Sequence, residues 1–265
     1  MKKRKTSRLI LAIVLVFILS GCVSHIKELR EAQREFNQAA RLENQLRLNP
    51  LNPDALTIKG QADASYLLTL KIINRLLDSE KDALVRDNLI GTAYTLKALA
   101  EWRLKRYSDA MRTVSLVTEK YGKGLFPRDR AIIVAIKGLI MNDQAYMHMI
   151  KKDYGYERIL NLLKASINSI KEAIAITPAE HDLVLYLRLS ELAVLKNWKD
   201  LRGEPEYRAL RPEGFVPGAE LKRWCAVAVP VWERFTKEVK TTGGADAERI
   251  RNWWAQRLSM PQACR

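Results

Sequence analysis

The spacing of apolar residues constrains the fold of this chain more than any other feature. From His25 to Leu48, the positions Ile26, Leu29, Phe36, Ala39, Leu42 and Leu46 fall roughly on one face of a helix. The same period recurs downstream and predicts helices over 54–78, 82–105, 107–121, 128–151, 154–176, 180–198, 219–240 and 245–258. Stops separate them. Asn49-Pro50-Leu51-Asn52-Pro53 ends the first helix and Asp54 is placed to cap the second. Tyr121-Gly122-Lys123-Gly124-Leu125-Phe126-Pro127 and Thr241-Thr242-Gly243-Gly244 read as turns. No alternating, β-branched run of strand length stands out, so the expected class is all-α.

Short turns between helices of this length imply antiparallel neighbours, as a bundle or as stacked hairpins. Within Tyr94–Gly122 the pattern is more specific. The small residue Ala98 in one helix is followed by Tyr107 at the turn and Ala110 in the next helix, with Arg106-Tyr107-Ser108-Asp109-Ala110 marking the bend. Small residues let two helices approach, and an aromatic fills the gap where they part. This segment resembles a tetratricopeptide (TPR) repeat. Leu48–Ala55 and Ile174–Glu180 are similar to the proline junctions between such repeats, although Pro50 and Pro178 do not lie a whole number of 34-residue periods apart. The resemblance implies a TPR-like stack of helical hairpins, an α-solenoid; an irregular helical bundle is the alternative.

The amino terminus carries an address. Lys2, Lys3, Arg4, Lys5 and Arg8 precede the apolar run Leu9–Leu19, which is too short to span a bilayer stably. Leu19-Ser20-Gly21-Cys22 follows, and these four residues resemble the lipobox of bacterial lipoproteins. The resemblance implies that residues 1–21 are a signal peptide removed on processing, with Leu19, Ser20 and Gly21 read by the peptidase. It also implies that Cys22 becomes the acylated first residue, carrying fatty acids such as palmitate. The covalent lipid is then the only non-protein group expected, with no cofactor or metal. Val23 stands where many inner-membrane lipoproteins have aspartate, which points to the outer membrane, facing the periplasm.

The full chain has 45 basic and 30 acidic side chains. Loss of residues 1–21 leaves 40 basic against the same 30, a surplus of ten. In a periplasmic setting the available polyanions are lipid head groups, lipopolysaccharide, peptidoglycan and acidic proteins, and nucleic acid is not an expected partner. Two further cysteines, Cys225 and Cys264, form an even pair in an exported chain and read as a disulfide.

Composition also suggests subdivision. Gly203, Pro205, Pro212, Gly214, Pro217 and Gly218 crowd 201–218 into a loop or boundary, giving an expected TPR-like domain over 22–200 and a C-terminal helical unit over 219–265. The last third holds Trp198, Trp224, Trp232, Trp253 and Trp254. Trp224 and Trp232 read as core. Adjacent Trp253 and Trp254 cannot both face inward squarely, so with Arg249 they form a candidate interaction surface for a protein or an anionic sugar polymer.

Motifs for chemistry are scarce. His25, His148 and His181 lie in no metal-ligand spacing, and Gly122-Lys123-Gly124 lacks the rest of a phosphate-binding loop. Glu180-His181-Asp182 fits a helix amino terminus better than a catalytic trio. The expected function is therefore binding, not catalysis: a lipid-anchored adaptor in an envelope assembly, secretion or transport complex, with an envelope protein as partner. A helical ligand-binding lipoprotein serving a transporter, and a cell-wall-binding protein or enzyme acting on peptidoglycan or near lipopolysaccharide, are the alternatives.

Overall fold

The structure is a computed structural model that describes residues 25–46, 52–178, 182–242, 245–260 and 262–264. Leu19, Ser20, Gly21 and Cys22, the expected junction at Pro50, and Glu180 and His181 lie outside the described residues. The fold is all-α, with neighbouring helices packed in pairs and no strand among the described residues. None of the described helices is long and apolar enough to cross a membrane. The chain forms two compact units, the first ending at Phe126 and the second beginning at Pro127.

The first unit contains α1 (25–46), α2 (Ala55–Ser79), α3 (Lys81–Arg86), α4 (Ile90–Arg103) and α5 (Tyr107–Lys120). The expected stripe on α1 buries Leu29, Phe36 and Ala39 together with Ala32. These pack into one cluster with Tyr66, Leu70, Ile73 and Leu76 of α2 and Leu96 and Ala100 of α4. Phe36 and Tyr66 meet with ring centres 5.3 Å apart, and the Tyr66 hydroxyl donates to Glu43 Oε2 at 3.1 Å.

The helix expected over 82–105 is two helices. Asn88 adopts φ 58°, and Leu89 N–H donates back to Leu84 O at 2.7 Å, closing a left-handed helix end. Lys105 repeats the device at φ 59°, with Arg106 N–H bonded to Glu101 O. Asn88 is a residue that tolerates this conformation, whereas Lys105 pays a steric penalty for its Cβ. Tyr121–Pro127 is indeed a turn, with a short 3-10 segment at Gly122–Gly124.

The second unit contains α6 (Pro127–Lys151), α7 (Tyr156–Ile176), α8 (Asp182–Gly203), α9 (Pro217–Thr242) and α10 (Ala245–Leu258). Helices α6 and α7 form the most extensive pair among α2 to α10. Their seam closes at Gly138: a Cβ there would lie 2.8 Å from Ser166 O, and Ser166 Oγ donates to Gly138 O at 2.7 Å. Only a residue without a side chain permits that approach.

Helix α8 runs five residues past its expected end to Gly203, and the Gly/Pro-rich stretch then holds a 3-10 segment, Pro205–Leu210. That stretch does not separate compact units. Helix α8 packs on both α7 and α9, so the helices on either side of 201–218 share one core. Fully buried Trp224 on α9 donates its indole N–H to Leu195 O on α8 at 2.9 Å. Trp232 is only half-buried, resting against Phe235 with ring centres 5.6 Å apart. Cys225 and Cys264 form a disulfide with their Cα atoms 5.6 Å apart, fixing the tail to α9 as expected.

Candidate functional site

Helices α2, α4 and α5 of the first unit enclose a groove of about 360 Å³ that opens to solvent. Leu70 and Asn74 of α2 form one wall, and Lys97 and Glu101 of α4 the floor. The other wall is the start of α5, with Arg106, Asp109, Arg112 and Thr113. Periodicity explains the convergence: Lys97 and Glu101 are one turn apart on α4, while Arg106, Asp109 and Thr113 recur at helical spacing on α5.

The floor is built around a buried carboxylate. Glu101 is 4% exposed, sits in the apolar run Ala98–Trp102 and has both oxygens engaged. Thr113 Oγ1 donates to Oε2 at 2.7 Å, and Lys97 Nζ lies 2.8 Å from Oε1. Lys97 also donates to Asn74 Oδ1 at 2.8 Å, so one ammonium joins α4 to α2. A buried carboxylate survives at low cost only when it is so paired. On the rim, Arg112 pairs with Asp109 and is otherwise exposed. Arg106, at the amino-terminal boundary of α5, makes no ion pair or side-chain hydrogen bond among the described residues.

The three residues expected to pack this hairpin lie on the two helices that carry the site. Ala98 on α4 and Ala110 on α5 are fully buried, and Tyr107 at the first position of α5 is half-buried. Helices α4 and α5 are packed neighbours. The polar groove residues themselves were not anticipated, but a signal existed: Glu101 is a charge inside the apolar face of α4, with a lysine one turn before it.

The remaining candidates lie apart from the groove in sequence. On α10, Trp253 is 43% exposed, and the Arg257 guanidinium lies 3.8 Å from its ring centre. Trp254 is half-buried and meets Trp253 edge-on at 4.9 Å. The two indoles thus divide between surface and interior, with Arg249 exposed one turn earlier. His25 is fully buried with Nε2 2.8 Å from Asp87 Oδ2, and this hydrogen bond to His25 above all, with a smaller contribution from Arg86, holds the Asp87 carboxyl below its ordinary pKa. His148 lies 2.7 Å from Asp153 and stacks on Tyr154, whose other contact is the Arg158 guanidinium at 3.6 Å from its ring centre.

Within the second unit the described residues include three buried carboxylates, Asp129, Glu191 and Glu220. The Tyr156 hydroxyl donates to Glu220 Oε2 at 2.9 Å, and burial followed by that carboxylate pushes the phenol above its ordinary pKa. Glu191, fully buried, takes Arg188 Nη1 at 2.8 Å, while burial pushes its own pKa up. Arg188 reaches across to Glu238 of α9 at 3.1 Å, so these pairs join helices within the core.

Comparison with protein families, curated proteins and solved structures finds no match.

Proposed function

We propose that this protein is an outer-membrane lipoprotein, anchored through Cys22 and facing the periplasm, whose helical hairpins act as a protein-binding adaptor in an envelope complex. The observation that carries the reading is the groove on the TPR-like α4–α5 hairpin: it is open, lined by convergent polar side chains, and long-range in composition because α2 supplies one wall. Such a surface suits an extended or helical segment laid against paired helices. The Leu-Ser-Gly-Cys sequence supplies the anchor, since several acyl chains on one cysteine hold far more firmly than a single chain does.

Binding is favoured over catalysis by the state of Glu101. A general base needs an oxygen available to a substrate proton, and both oxygens of this carboxylate are already hydrogen-bonded inside the protein. The rest of the stack, read as TPR-like, serves to hold this surface rigid.

Two measurements on the full chain in bacterial membranes test the reading. Mass spectrometry of the amino-terminal peptide is expected to give an acylated Cys22; an unmodified cysteine removes the membrane address. Photo-cross-linking from p-benzoylphenylalanine at Asn74 is expected to recover one envelope protein reproducibly. Recovery of none, from a correctly acylated chain, overturns the adaptor.

A further inference from the structure

Resting on that adaptor reading, we propose that the groove between α2, α4 and α5 selects an acidic protein segment, with a carboxylate of the partner received by Arg106. The inference comes from counting which hydrogen-bonding groups the groove has already used. Most of its acceptors are spent internally, Asp109 Oδ2 being the exception. Glu101 accepts from Thr113 and pairs with Lys97, Asp109 pairs with Arg112, and Asn74 Oδ1 accepts from Lys97.

Its donors are in surplus. A guanidinium carries five N–H groups, and those of Arg106 are uncommitted among the described residues. Arg112 is 80% exposed and spends only part of its fork on Asp109. Three cations face two carboxylates within one groove, and the odd charge is Arg106. An incoming lysine would meet two arginines on the rim, and the one carboxylate oxygen left to receive it, Asp109 Oδ2, belongs to a group already paired with Arg112. An incoming aspartate or glutamate would meet a planar fork able to bind it through two bonds. The pairing would thus complete the groove's inventory without breaking an existing bond.

Arg106 is also held in place. The left-handed turn at Lys105 sends the Arg106 amide back to Glu101 O at 2.8 Å, so the same residue that anchors the floor positions the arginine beside it. The fixed backbone lowers the ordering cost on binding relative to a free loop, although the side chain itself must still be immobilised.

The test uses the full chain in neutral detergent micelles and fluorescein-labelled hexaglutamate and hexalysine peptides, followed by fluorescence anisotropy. Hexaglutamate is expected to bind at least tenfold more tightly than hexalysine. Arg106→Glu is expected to weaken hexaglutamate tenfold or more, while Arg158→Glu, the same charge change on exposed α7, alters it less than twofold. Unchanged exchange protection of α4 and α5 shows that Arg106→Glu folds. Equal binding of the two peptides, or equal effects of the two variants, overturns the proposal as mere attraction to net charge. The segment cross-linked at Asn74 then separates the two readings. A captured protein with an acidic segment supports both. A captured neutral or basic segment overturns the acidic selectivity and leaves the adaptor standing. Hexaglutamate binding through Arg106 with no protein captured overturns the adaptor and leaves small anions or peptidoglycan carboxylates as the groove's ligand.

Discussion

The two units close their helix pairs in opposite ways. Between α6 and α7 of the second unit, Gly138 lets backbones touch and Ser166 bonds across the seam, leaving no room for a side chain. Between α4 and α5 of the first, Ala98 and Ala110 are buried and Thr113 bonds across to Glu101, and the space that remains beside them, walled by α2, is polar and open. The units also fasten their ends differently. The tail of the second is tied covalently by Cys225–Cys264, while the start of α1 is held to the α3–α4 turn by the His25–Asp87 pair. The α6–α7 seam is shut, whereas the α4–α5 seam borders a recess whose polar floor must be satisfied from within.

The disulfide offers the largest effect with which to break this contrast. It closes a separation of 39 residues. Replacing both Cys225 and Cys264 by serine is expected to lower stability by about 4 kcal/mol on the chain-entropy argument. Hydrogen exchange should place the loss in the second unit alone, with α1–α5 protected as before. An equal loss of protection in the first unit would mean that the two do not behave as separate compact bodies.

A smaller effect sharpens the comparison of seams. Gly138→Ala would press its Cβ against the Ser166 carbonyl, a backbone atom that cannot swing away, and is expected to cost about 2 kcal/mol. Gly91→Ala in α4 meets Leu125 Cδ2 at 2.5 Å, the end of a flexible side chain. There the clash is relieved by rotation, and helix propensity returns about 1 kcal/mol, so the net change should lie near zero. Chemical denaturation of the two variants decides the matter; an equal cost at both sites would show that α4 is packed as tightly as α6.

Much of this was readable beforehand, for identifiable reasons. The apolar stripe of α1, the turns at Pro53 and Pro127 and the pairing of the two late cysteines follow from strong local signals: period, proline and cysteine parity. What escaped was carried by weaker ones. The break within 82–105 depends on a left-handed residue that is not glycine, Asn88, and no glycine or proline stands beside it to announce the turn. The continuity of the second unit across 201–218 depends on long-range packing of α8 with α9, which composition cannot express. The groove lay between these cases. Ala98, Tyr107 and Ala110 mark the hairpin, but Asn74 joins it from α2 and no spacing within 94–122 includes that residue.

The floor of the groove gives the third test. Thr113→Val keeps the shape and removes the hydroxyl that donates to Glu101. Leaving one oxygen of a buried carboxylate without its donor is expected to cost about 1 to 2 kcal/mol. Exchange should rise in α4 and α5, with the second unit unchanged. No measurable loss would mean that water takes the hydroxyl's place, and that the recess is wetter than a satisfied internal floor requires.

The smallest effect concerns pH and separates the two fastenings directly. His25 holds the Asp87 carboxyl below its ordinary value, helped by Arg86. A carboxylate whose pKa is depressed on folding stabilises the folded state above its unfolded pKa, and that stabilisation disappears as pH falls through the folded value. Wild type should therefore exceed Asp87→Asn in stability near pH 7, and the difference should shrink below about pH 4, where an unfolded aspartate begins to protonate. Thermal unfolding of both proteins across pH 2–7 measures it, with exchange at α1 as the local readout. The disulfide at the other end has no titrating group, so the Cys225/Cys264 double variant should differ from wild type by an amount that varies little over this range. If Asp87→Asn tracks wild type in parallel down to pH 2, the first helix is held by its apolar stripe alone and the contrast between polar and covalent fastening falls.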